Sequence, residues 1–428
     1  MFYLKKYYRP ALRQIRMLLL TFMPQKMRRK ILLGKFALQT KISEQLVIKL
    51  AETDDEVRQA FKLHHDCYAQ EGLSEANKSG LKMSKYQTIP QTSIIVATLN
   101  NKVVGTLSIV SGGPFALPIE QGWNIDDIKA KHDCVVECSA LAIDKTLKKQ
   151  AGSILFSIMN YAWKYSSEYL KADAFVAAVK TYYSPFYQDV LMYEKITTKA
   201  KSKYQVVDVL SASAFYLNLN TAAQRYKYIY ESTPENKNLY KFFVEDNYDN
   251  HIYPVRPYYR YFDYSLSTKL LEELLSIPDA HNLSKEDRKK LMLQLCSKKY
   301  QNLFNSNNND LIQRKNIRLP FRQKVVVANK SETLIGPGKI TSLSRTGIAL
   351  NDLNNEDFKV GDSILIRVEL SENLSIKLEG QIVYSKDAQA GVHLVKNKNS
   401  QWTEFMNFQE SGLGQLQESI KTENIPSL

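Results

Sequence analysis

The sequence contains no acidic residue before Glu44, although eleven lysines and arginines precede it. These eleven charges make up most of the formal net charge of +14 and leave about +3 for the rest of the chain. A basic surface spread over the folded body is therefore not indicated, and we expect no nucleic-acid polymer as a partner. The eleven residues are Lys5, Lys6, Arg9, Arg13, Arg16, Lys26, Arg28, Arg29, Lys30, Lys35 and Lys41.

The N-terminal region also lacks a long apolar run. Its apolar stretch "MLLLTFM" at residues 17–23 is far shorter than the roughly 20 residues of a membrane-spanning helix, and no small-residue cleavage site follows it. We predict that residues 1–45 form a basic amphipathic arm on an anionic membrane surface, so that the protein is cytoplasmic and peripheral on the inner face of the membrane. The alternative is a helix that docks on the protein's own body with its basic face in solvent.

Cysteine is scarce, and its spacing indicates neither a disulfide framework nor a metal site. The four cysteines form no CxxC pair and no metal-ligand spacing with the six histidines, so we expect no metal and a reducing compartment. Cys134 and Cys138 share strand parity, which two small buried residues explain better than a redox pair. The four are Cys67, Cys134, Cys138 and Cys296.

Hydrophobic periodicity divides the chain of 428 residues into several regions. Strands at 92–99 and 102–110 flank an Asn-Asn dipeptide that is typical of a hairpin, and strands near 135–143, 173–180 and 204–219 alternate with helices at 54–68 and 152–169. We predict an α+β multidomain protein with an arm at 1–45, a mixed-sheet domain at 46–220, a helical Tyr-rich connector at 221–312, a strand-rich domain at 313–400 and a tail at 401–428.

Two polar motifs lie in the strand-rich region. Arg314 and Arg318 stand four residues apart before a β-branched run, and "SLSRTG" at 342–347 places hydroxyls and a glycine in a tight turn. With the strands around them, these motifs resemble the PilZ domain, a six-stranded antiparallel β-barrel that binds cyclic di-GMP. The resemblance implies that Arg314, Arg318, Ser342, Ser344 and Gly347 bind this regulator. A guanidinium matches guanine O6 and N7 and pairs with phosphate, and a glycine permits close backbone approach.

Three points about this barrel stay open at the level of sequence. Ser342 stands where the family has Asp or Asn, and a hydroxyl has a shorter reach than a carboxylate or an amide. Arg318 and Arg322 are also four residues apart and define an alternative register. The alternative to a receptor is a barrel that has lost its ligand and serves as an interaction module.

The mixed-sheet region carries a second resemblance. The segments "TSIIVATLNNKVVGTLSIV", "VVECSALAI" and "SPFYQDVLMY" are similar to the N-acyl amino acid synthases, which belong to the GNAT acyltransferase superfamily and are related to acyl-homoserine lactone synthases. The similarity covers about residues 46–219. It implies transfer of a fatty acyl group from the thioester of acyl carrier protein, or from acyl-coenzyme A, to the amine of an amino acid, with no tightly bound cofactor.

The same resemblance assigns the site residues. It implies that Ser139 lies in the catalytic centre and that six further residues bind substrate, among them two from the helical run "HDCY". These six are Asp66, Tyr68, Tyr86, Thr106, Leu117 and Tyr187.

Glu137 is the candidate general base. Strand alternation places Val135, Glu137, Ser139 and Leu141 on one face of their strand. A carboxylate inside an apolar strand is costly to bury unless it is used or paired. An acyl transfer to an amine needs a base for the ammonium group, which Glu137 can supply directly or through water. The alternative is a structural glutamate paired with a lysine.

Several positions depart from the synthase pattern. "KQAGSI" at 149–154 keeps Gly152 but has Ile154 where the superfamily's pyrophosphate loop ends in a small residue, which disfavours coenzyme A at this helix N-terminus. "SGG" at 111–113 replaces an acidic position, and "WNIDDIKAKHDC" at 123–134 departs from the acidic and arginine positions. These departures favour the alternative function: a non-catalytic cyclic di-GMP receptor whose degenerate acyltransferase fold binds an acyl ligand or a partner protein. Glu137 favours the enzyme.

Overall fold

The computed structural model describes residues 22–34, 38, 45–147, 150–198, 212–295, 316–329, 331–353, 359–386, 388–395 and 399–412. Within them, the helices are α1 Gln25–Leu33, α2 Asp54–Gln70, α3 Asp126–Lys131, α4 Ala151–Lys164, α5 Leu219–Tyr230, α6 Thr268–Ser276, α7 Lys285–Leu295 and α8 Ser400–Ser411. The first sheet is built from β1 Leu46–Leu50, β2 Thr92–Leu99, β3 Lys102–Val110, β4 Val135–Ile143, β5 Ala174–Lys180, β6 Glu194–Ile196, β7 Ala212–Asn218 and β8 His251–Ile252. The barrel is built from β9 Leu319–Asn329, β10 Leu334–Ser344, β11 Gly347–Asn351, β12 Ser363–Ser371, β13 Leu374–Lys386 and β14 Gln389–Leu394.

The first sheet is mixed, with eight strands in the order β6-β7-β5-β4-β3-β2-β1-β8. The hairpin between β2 and β3 turns at Asn100 and Asn101, whose φ angles of 51° and 62° are those of the tight turn that the Asn-Asn pair predicts. Helix α2 starts at a capping box in which Thr53 and Glu56 satisfy each other's backbone N–H groups. The mixed sheet that the sequence predicts is therefore confirmed.

Helices cover both faces of this sheet. One core joins the apolar side of α2 to the face of β4 that holds Val135, and the other joins α4 and α5 to the face that holds Val136. Gly105 on β3 allows α4 to pack closely, because a Cβ there would stand 2.6 Å from Ile158 Cδ1. Helix α4 continues into a π-helical turn, Tyr165–Tyr169, and a second such turn, Phe186–Val190, follows β5.

One portion of the connector belongs to the first domain. It is helical, as predicted, but β8 runs parallel to β1, with Ile48 opposite His251, and so adds a strand to the sheet. Helix α5 buries Tyr226 and Tyr230 in the core. The strand predicted at 204–219 is observed as β7 from Ala212, and its first part lies outside the described residues.

The C-terminal strands form a closed six-stranded antiparallel barrel in the order β10-β11-β14-β13-β12-β9, which confirms the predicted barrel. Helix α8 closes over it, because Phe405 packs edge-to-face on Phe321 with ring centroids 5.6 Å apart. Tyr261 of the connector also packs edge-to-face on Phe321, with ring centroids 5.1 Å apart. One apolar cluster therefore runs from the sheet domain through the connector into the barrel.

None of the helices in the described ranges is long and apolar enough to cross a membrane. The same residues contain no group of three metal-ligating side chains.

Candidate active site and ligand-binding surfaces

Strands β4 and β5 separate in the middle of the first sheet. They pair in parallel only from Val135–Ala174 to Glu137–Val176, after which β4 continues along β3 and β5 continues along β7. The strands therefore leave a wedge whose edges carry backbone groups without a ladder partner on that side. Glu137 is the last residue of β4 before the wedge opens.

A β-bulge lies just inside this wedge. Ser139 is opposite Ser108 and Ala142 is opposite Thr106, so two residues of β4 face one residue of β3. Ala140 has a φ of 54°, in the left-handed region that costs energy for a residue with a Cβ. The bulge reverses the alternation, and Leu141 lines a pocket on the same face as Cys138. The prediction that Leu141 shares a face with Glu137 is therefore wrong.

Glu137 is buried, with 1% of its surface exposed, and its Oε2 accepts a 2.7 Å hydrogen bond from the backbone N–H of Ile119. Burial raises the pKa of this carboxyl well above its usual 4.5, and the hydrogen bond from Ile119 offsets only part of that effect. Among the described residues, no Lys, Arg or His forms an ion pair with it. The arrangement differs from the glutamate–lysine pair that is the structural alternative.

Polar and aromatic groups surround the Glu137 side of the sheet. Gln87 donates to Ser108 Oγ across 3.2 Å, and Gln121 donates to the Tyr86 hydroxyl. Burial, with a smaller contribution from the charge of Glu137, raises the pKa of Tyr68 and of Tyr86 to about 12. Both phenols therefore stay protonated at neutral pH and lie within electrostatic reach of the carboxyl.

An apolar pocket occupies the opposite face at the same wedge. Its free volume is about 50 Å³, which is room for only a few water molecules. Tyr187, for which the sequence resemblance predicts a role in substrate binding, lines this pocket. The lining residues are Leu107, Cys138, Leu141, Met159, Ala162, Trp163, Phe175, Ala177, Tyr187, Leu191, Tyr193, Leu217, Tyr226 and Phe243.

The other predicted substrate residues lie in several places. The hydroxyl of Thr106 donates to Ile95 O across 3.1 Å within the sheet. Leu117 is buried in the core of the sheet domain, two residues before Ile119. Asp66 bonds its own neighbour His65 at 2.9 Å on α2. Ser139 is half-buried beside the bulge.

The two motifs of the barrel come together in space. Asn316, between the two motif arginines, donates to Thr346 Oγ1 across 3.0 Å, and Ser342 is the register partner of Pro320. Arg318 is exposed beside this contact, whereas Arg314 lies outside the described residues.

The turn that holds the second motif is closely packed. Ser344 donates to Gly347 O across 3.2 Å, and a Cβ at Gly347 would stand 3.1 Å from Val392 O. Helix α8 covers this turn, since Trp402 donates to Arg345 O across 3.2 Å and Glu410 pairs with Arg345 at 2.7 Å. Neither motif indicates that the C-terminal tail predicted at 401–428 would cover this turn.

The barrel also contacts the sheet domain near Glu137. Arg322 on β9 donates to Ser111 O across 2.8 Å, and Lys339 on β10 pairs with Asp133 at 2.8 Å. A cavity of about 400 Å³ lies between these contacts, lined by the loop from Ser111 to Leu117 and by His132. Arg322 Nη1 and His132 Nδ1 are buried without a hydrogen-bond partner in the described part of the chain.

Two family models match the chain in these two regions. Residues 59–213 match the N-acyl amino acid synthase FeeM, and residues 312–408 match the PilZ domain. The chain thus joins a region that matches the N-acyl amino acid synthase model to a C-terminal region that matches the PilZ domain, as the two sequence resemblances predict. Comparison with curated protein sequences gives no match.

Solved structures give distant likenesses. FeeM from uncultured soil microbes is 18% identical over 42% of this chain and 93% of its own, with a TM-score of 0.33. The PilZ domain of CeSA from a cellulose-synthesizing bacterium is 20% identical over 24% of this chain and 97% of its own, with a TM-score of 0.18. The AHL synthase LasI is 11% identical over 41% of this chain and 93% of its own, with a TM-score of 0.32.

Proposed function

We propose that this protein is an N-acyltransferase that moves a fatty acyl group from a thioester to the amine of an amino acid or a similar acceptor, under control of cyclic di-GMP bound to the PilZ barrel. The observation that carries the proposal is the position of Glu137. It is a buried carboxyl that pairs with no basic side chain among the described residues, at the point where β4 and β5 separate, with an apolar pocket on one side and polar groups on the other.

The wedge suits the chemistry of acyl transfer. The thioester carbonyl would lie along the free edge of β4, where backbone groups beyond Glu137 have no ladder partner on the β5 side, and the acyl chain would enter the apolar pocket. Glu137 takes a proton from the acceptor ammonium, and the resulting amine attacks the carbonyl carbon. The C–N bond forms, the C–S bond breaks, and the departing thiolate takes up a proton. A raised pKa makes Glu137 a stronger base once it is ionised.

Acyl carrier protein is the donor that fits best. Coenzyme A in this superfamily binds through its pyrophosphate at the N-terminus of the helix that corresponds to α4, where backbone N–H groups must be open to the ligand. Here Ile154 is buried and would stand 2.9 Å from a Cβ at Gly105, so its side chain belongs to the core. A carrier protein holds its acyl group on its own arm and depends less on this loop. Acyl-coenzyme A remains the alternative donor.

Control by cyclic di-GMP would act through the loop from Ser111 to Ile119. Arg322 holds the start of this loop, Gly112 and Gly113 have φ angles of 89° and 125°, and Ile119 at the other end bonds Glu137. Arg318 and Ser342 of the messenger motifs lie close in sequence to Arg322 and Lys339, which hold the sheet domain. Binding of an anionic dinucleotide to Arg318 and Ser342 would therefore change the contacts that Arg322 and Lys339 make with the sheet domain, and with them the position of the loop.

The test is transfer by the purified protein from acyl carrier protein, and separately from acyl-coenzyme A, to a panel of amino acids, with lipid mass spectrometry of expressing cells. Glu137→Gln keeps the shape but removes the basicity, so transfer should fall by about a hundredfold or more, and less at high pH, where more of the amine is already neutral. The exposed Glu168→Gln is the matched control. An unchanged rate in Glu137→Gln would remove this residue from the mechanism. Messenger binding without any transfer by the wild type would establish the non-catalytic receptor instead.

A further inference from the structure

Helix α1 is fixed to the body of the protein by a partly buried ion pair. Arg28 bonds both carboxylate oxygens of Asp189, at 2.7 and 2.9 Å, and only 1% of the Asp189 surface is exposed. Arg29 adds a 2.7 Å bond to the backbone carbonyl of Asp189, and Leu33 is buried at the end of the helix. A two-point contact between a guanidinium and a buried carboxylate fixes both position and orientation. The described part of the arm therefore docks on the body, as the alternative interpretation of the sequence has it.

The outer side of α1 is both apolar and basic. Met27 is 54% exposed and Ile31 is 38% exposed, which places two large apolar side chains in solvent one helical turn apart, and Phe22, three residues before the helix begins, is 81% exposed. Lys26 and Lys30 are exposed beside them, and neither has an ion-pair partner among the residues that the structure describes. The charge of Arg28 is neutralised by Asp189, so the two lysines dominate this face.

The docked side of α1 lies next to the turn that helps to line the apolar pocket at the wedge. Asp189, which anchors α1, belongs to the π-helical turn Phe186–Val190, and two residues of that region, Tyr187 and Leu191, line the pocket. A surface that rests on the outer side of α1 would therefore be separated from the pocket by this helix and the turn that anchors it.

We propose that Phe22, Met27, Ile31, Lys26 and Lys30 form a docking surface for an anionic lipid bilayer. Large apolar side chains enter the boundary between headgroups and acyl chains, and lysines on the same short helix pair with anionic headgroups. Nine residues of helix are too short to span a bilayer and suit a helix that lies in its surface.

Other occupants fit this surface less well. An acidic protein would satisfy the lysines but leave Phe22, Met27 and Ile31 in contact with polar groups. A second copy of this face would bring lysine against lysine. The sequence before the helix supports the bilayer, because residues 1–21 contain five further basic residues and no acidic one.

The surface itself does not depend on the chemistry at Glu137. Its benefit rests on the proposed function: a fatty acyl product leaves the pocket beside a bilayer, where its chain stays out of water.

The experiment is flotation of the full chain with phosphatidylcholine vesicles that contain about 30% phosphatidylserine, compared with phosphatidylcholine alone. The combined variant Phe22→Ser, Met27→Ser and Ile31→Ser should lose binding by roughly tenfold or more, and so should Lys26→Gln with Lys30→Gln. Wild-type binding should weaken as salt increases. Val255→Ser removes an apolar side chain of the connector that is 96% exposed and does not belong to α1, and it should leave binding unchanged.

Two outcomes would overturn the proposal. One is equal vesicle binding by all variants. The other is vesicle binding that survives in both α1 variants while binding of acyl carrier protein is lost. Transfer from a soluble donor should persist in the variants if both proposals hold. Vesicle binding that depends on α1 in a protein without any transfer would support the docking surface and refute only the proposed function.

Discussion

The backbone N–H of Ile119 lies 2.7 Å from Oε2 of Glu137, so the candidate base is held by the loop that the barrel contacts at Ser111. The carboxyl has one strong donor and otherwise little solvation, which is a costly environment for its charge. A displacement of the loop would change both the solvation of Glu137 and its access to substrate. The position of this loop therefore bears on chemistry and on stability at the same time.

Glu137→Gln should stabilise the fold above the usual pKa of a glutamate. The pKa of Glu137 is raised in the folded protein, so between about pH 4.5 and that raised value the unfolded chain loses a proton that the native protein keeps. The stability of the wild type therefore falls as pH rises through this window. Glutamine accepts the same bond from Ile119 without this loss, and its advantage should grow from about pH 5 to pH 8.

Urea unfolding at several pH values measures this difference, with the exposed Glu168→Gln as the variant expected to follow the wild type. A constant difference between Glu137→Gln and wild type across this pH range would show that the carboxyl is not desolvated in the native protein.

Ala140→Gly should stabilise the bulge by up to about 1 kcal/mol, because glycine adopts the φ of 54° without the penalty of a Cβ. Ala140→Val should destabilise it. The matched control is Ala142→Gly on the same strand, which has no positive φ and should cost about 0.5 to 1 kcal/mol. The denaturant midpoints of the three variants measure these changes in stability. A loss of stability in Ala140→Gly would show that the backbone of Ala140 is not strained.

The contrast between the hairpin and the bulge shows what a single sequence can establish. The dipeptide of Asn100 and Asn101 predicts a tight turn because few residues tolerate two successive positive φ angles. Ala140 does not predict the bulge, because the bulge depends on the register of β4 against β3. Strand alternation therefore assigned Leu141 to the wrong face of β4. Glu137 was predictable because a carboxylate in an apolar strand conflicts with its surroundings.

Contacts between segments far apart in sequence could not be predicted either, because no local pattern encodes them. The sequence shows Arg322 only as a second register of the arginine motif, while its contact with Ser111 joins residues 211 positions apart. The pairing of β8 with β1 spans a similar separation and involves a strand of two residues, too short for any periodicity. The barrel was predictable because two local motifs and their strands occur in order.

Ala177→Leu should shorten the acyl chain that the enzyme accepts. Ala177 lines the apolar pocket, and added carbons would fill space that an acyl chain needs. Transfer of long acyl groups should fall at least tenfold while transfer of short ones remains, as measured with carrier proteins loaded with different chains. The short-chain rate serves as the internal control for folding. An equal loss at every chain length would show that the chain binds elsewhere.

Arg314→Ala and Arg318→Ala should each weaken cyclic di-GMP binding by about tenfold or more, because a charge-assisted contact is lost. Ser342→Asp should tighten binding if the short reach of the serine limits it. Isothermal titration calorimetry measures both effects. Arg367→Ala, on the barrel strand β12 and bonded to Ser375, should bind as the wild type does. Absence of heat with the wild type would mean that this barrel has no such ligand.

Lys339→Gln should weaken the effect of cyclic di-GMP on acyl transfer while leaving messenger affinity within about twofold. The variant removes the partner of Asp133 and loosens the contact between barrel and sheet domain. Lys377→Gln removes a pair with Glu332 within the barrel and should change neither quantity. Rates with and without the messenger give the comparison. A full response in Lys339→Gln would show that this contact does not transmit the signal.

Strand β8 ties the segment after residue 220 to the sheet domain, so the two parts have to be kept together when domains are exchanged. Its two residues cover the outer edge of β1, with Asn250 bonded to Leu46 O at 2.7 Å, and an uncovered edge strand is a template for aggregation. Recombination that joined residues up to 220 to a different sensor domain would leave β8 behind and expose the edge of β1. It would also expose the surface of the sheet domain that Tyr226 and Phe242 cover. Exchange of the barrel at a junction after β8 would leave that edge covered and would instead remove the contact between Tyr261 and Phe321.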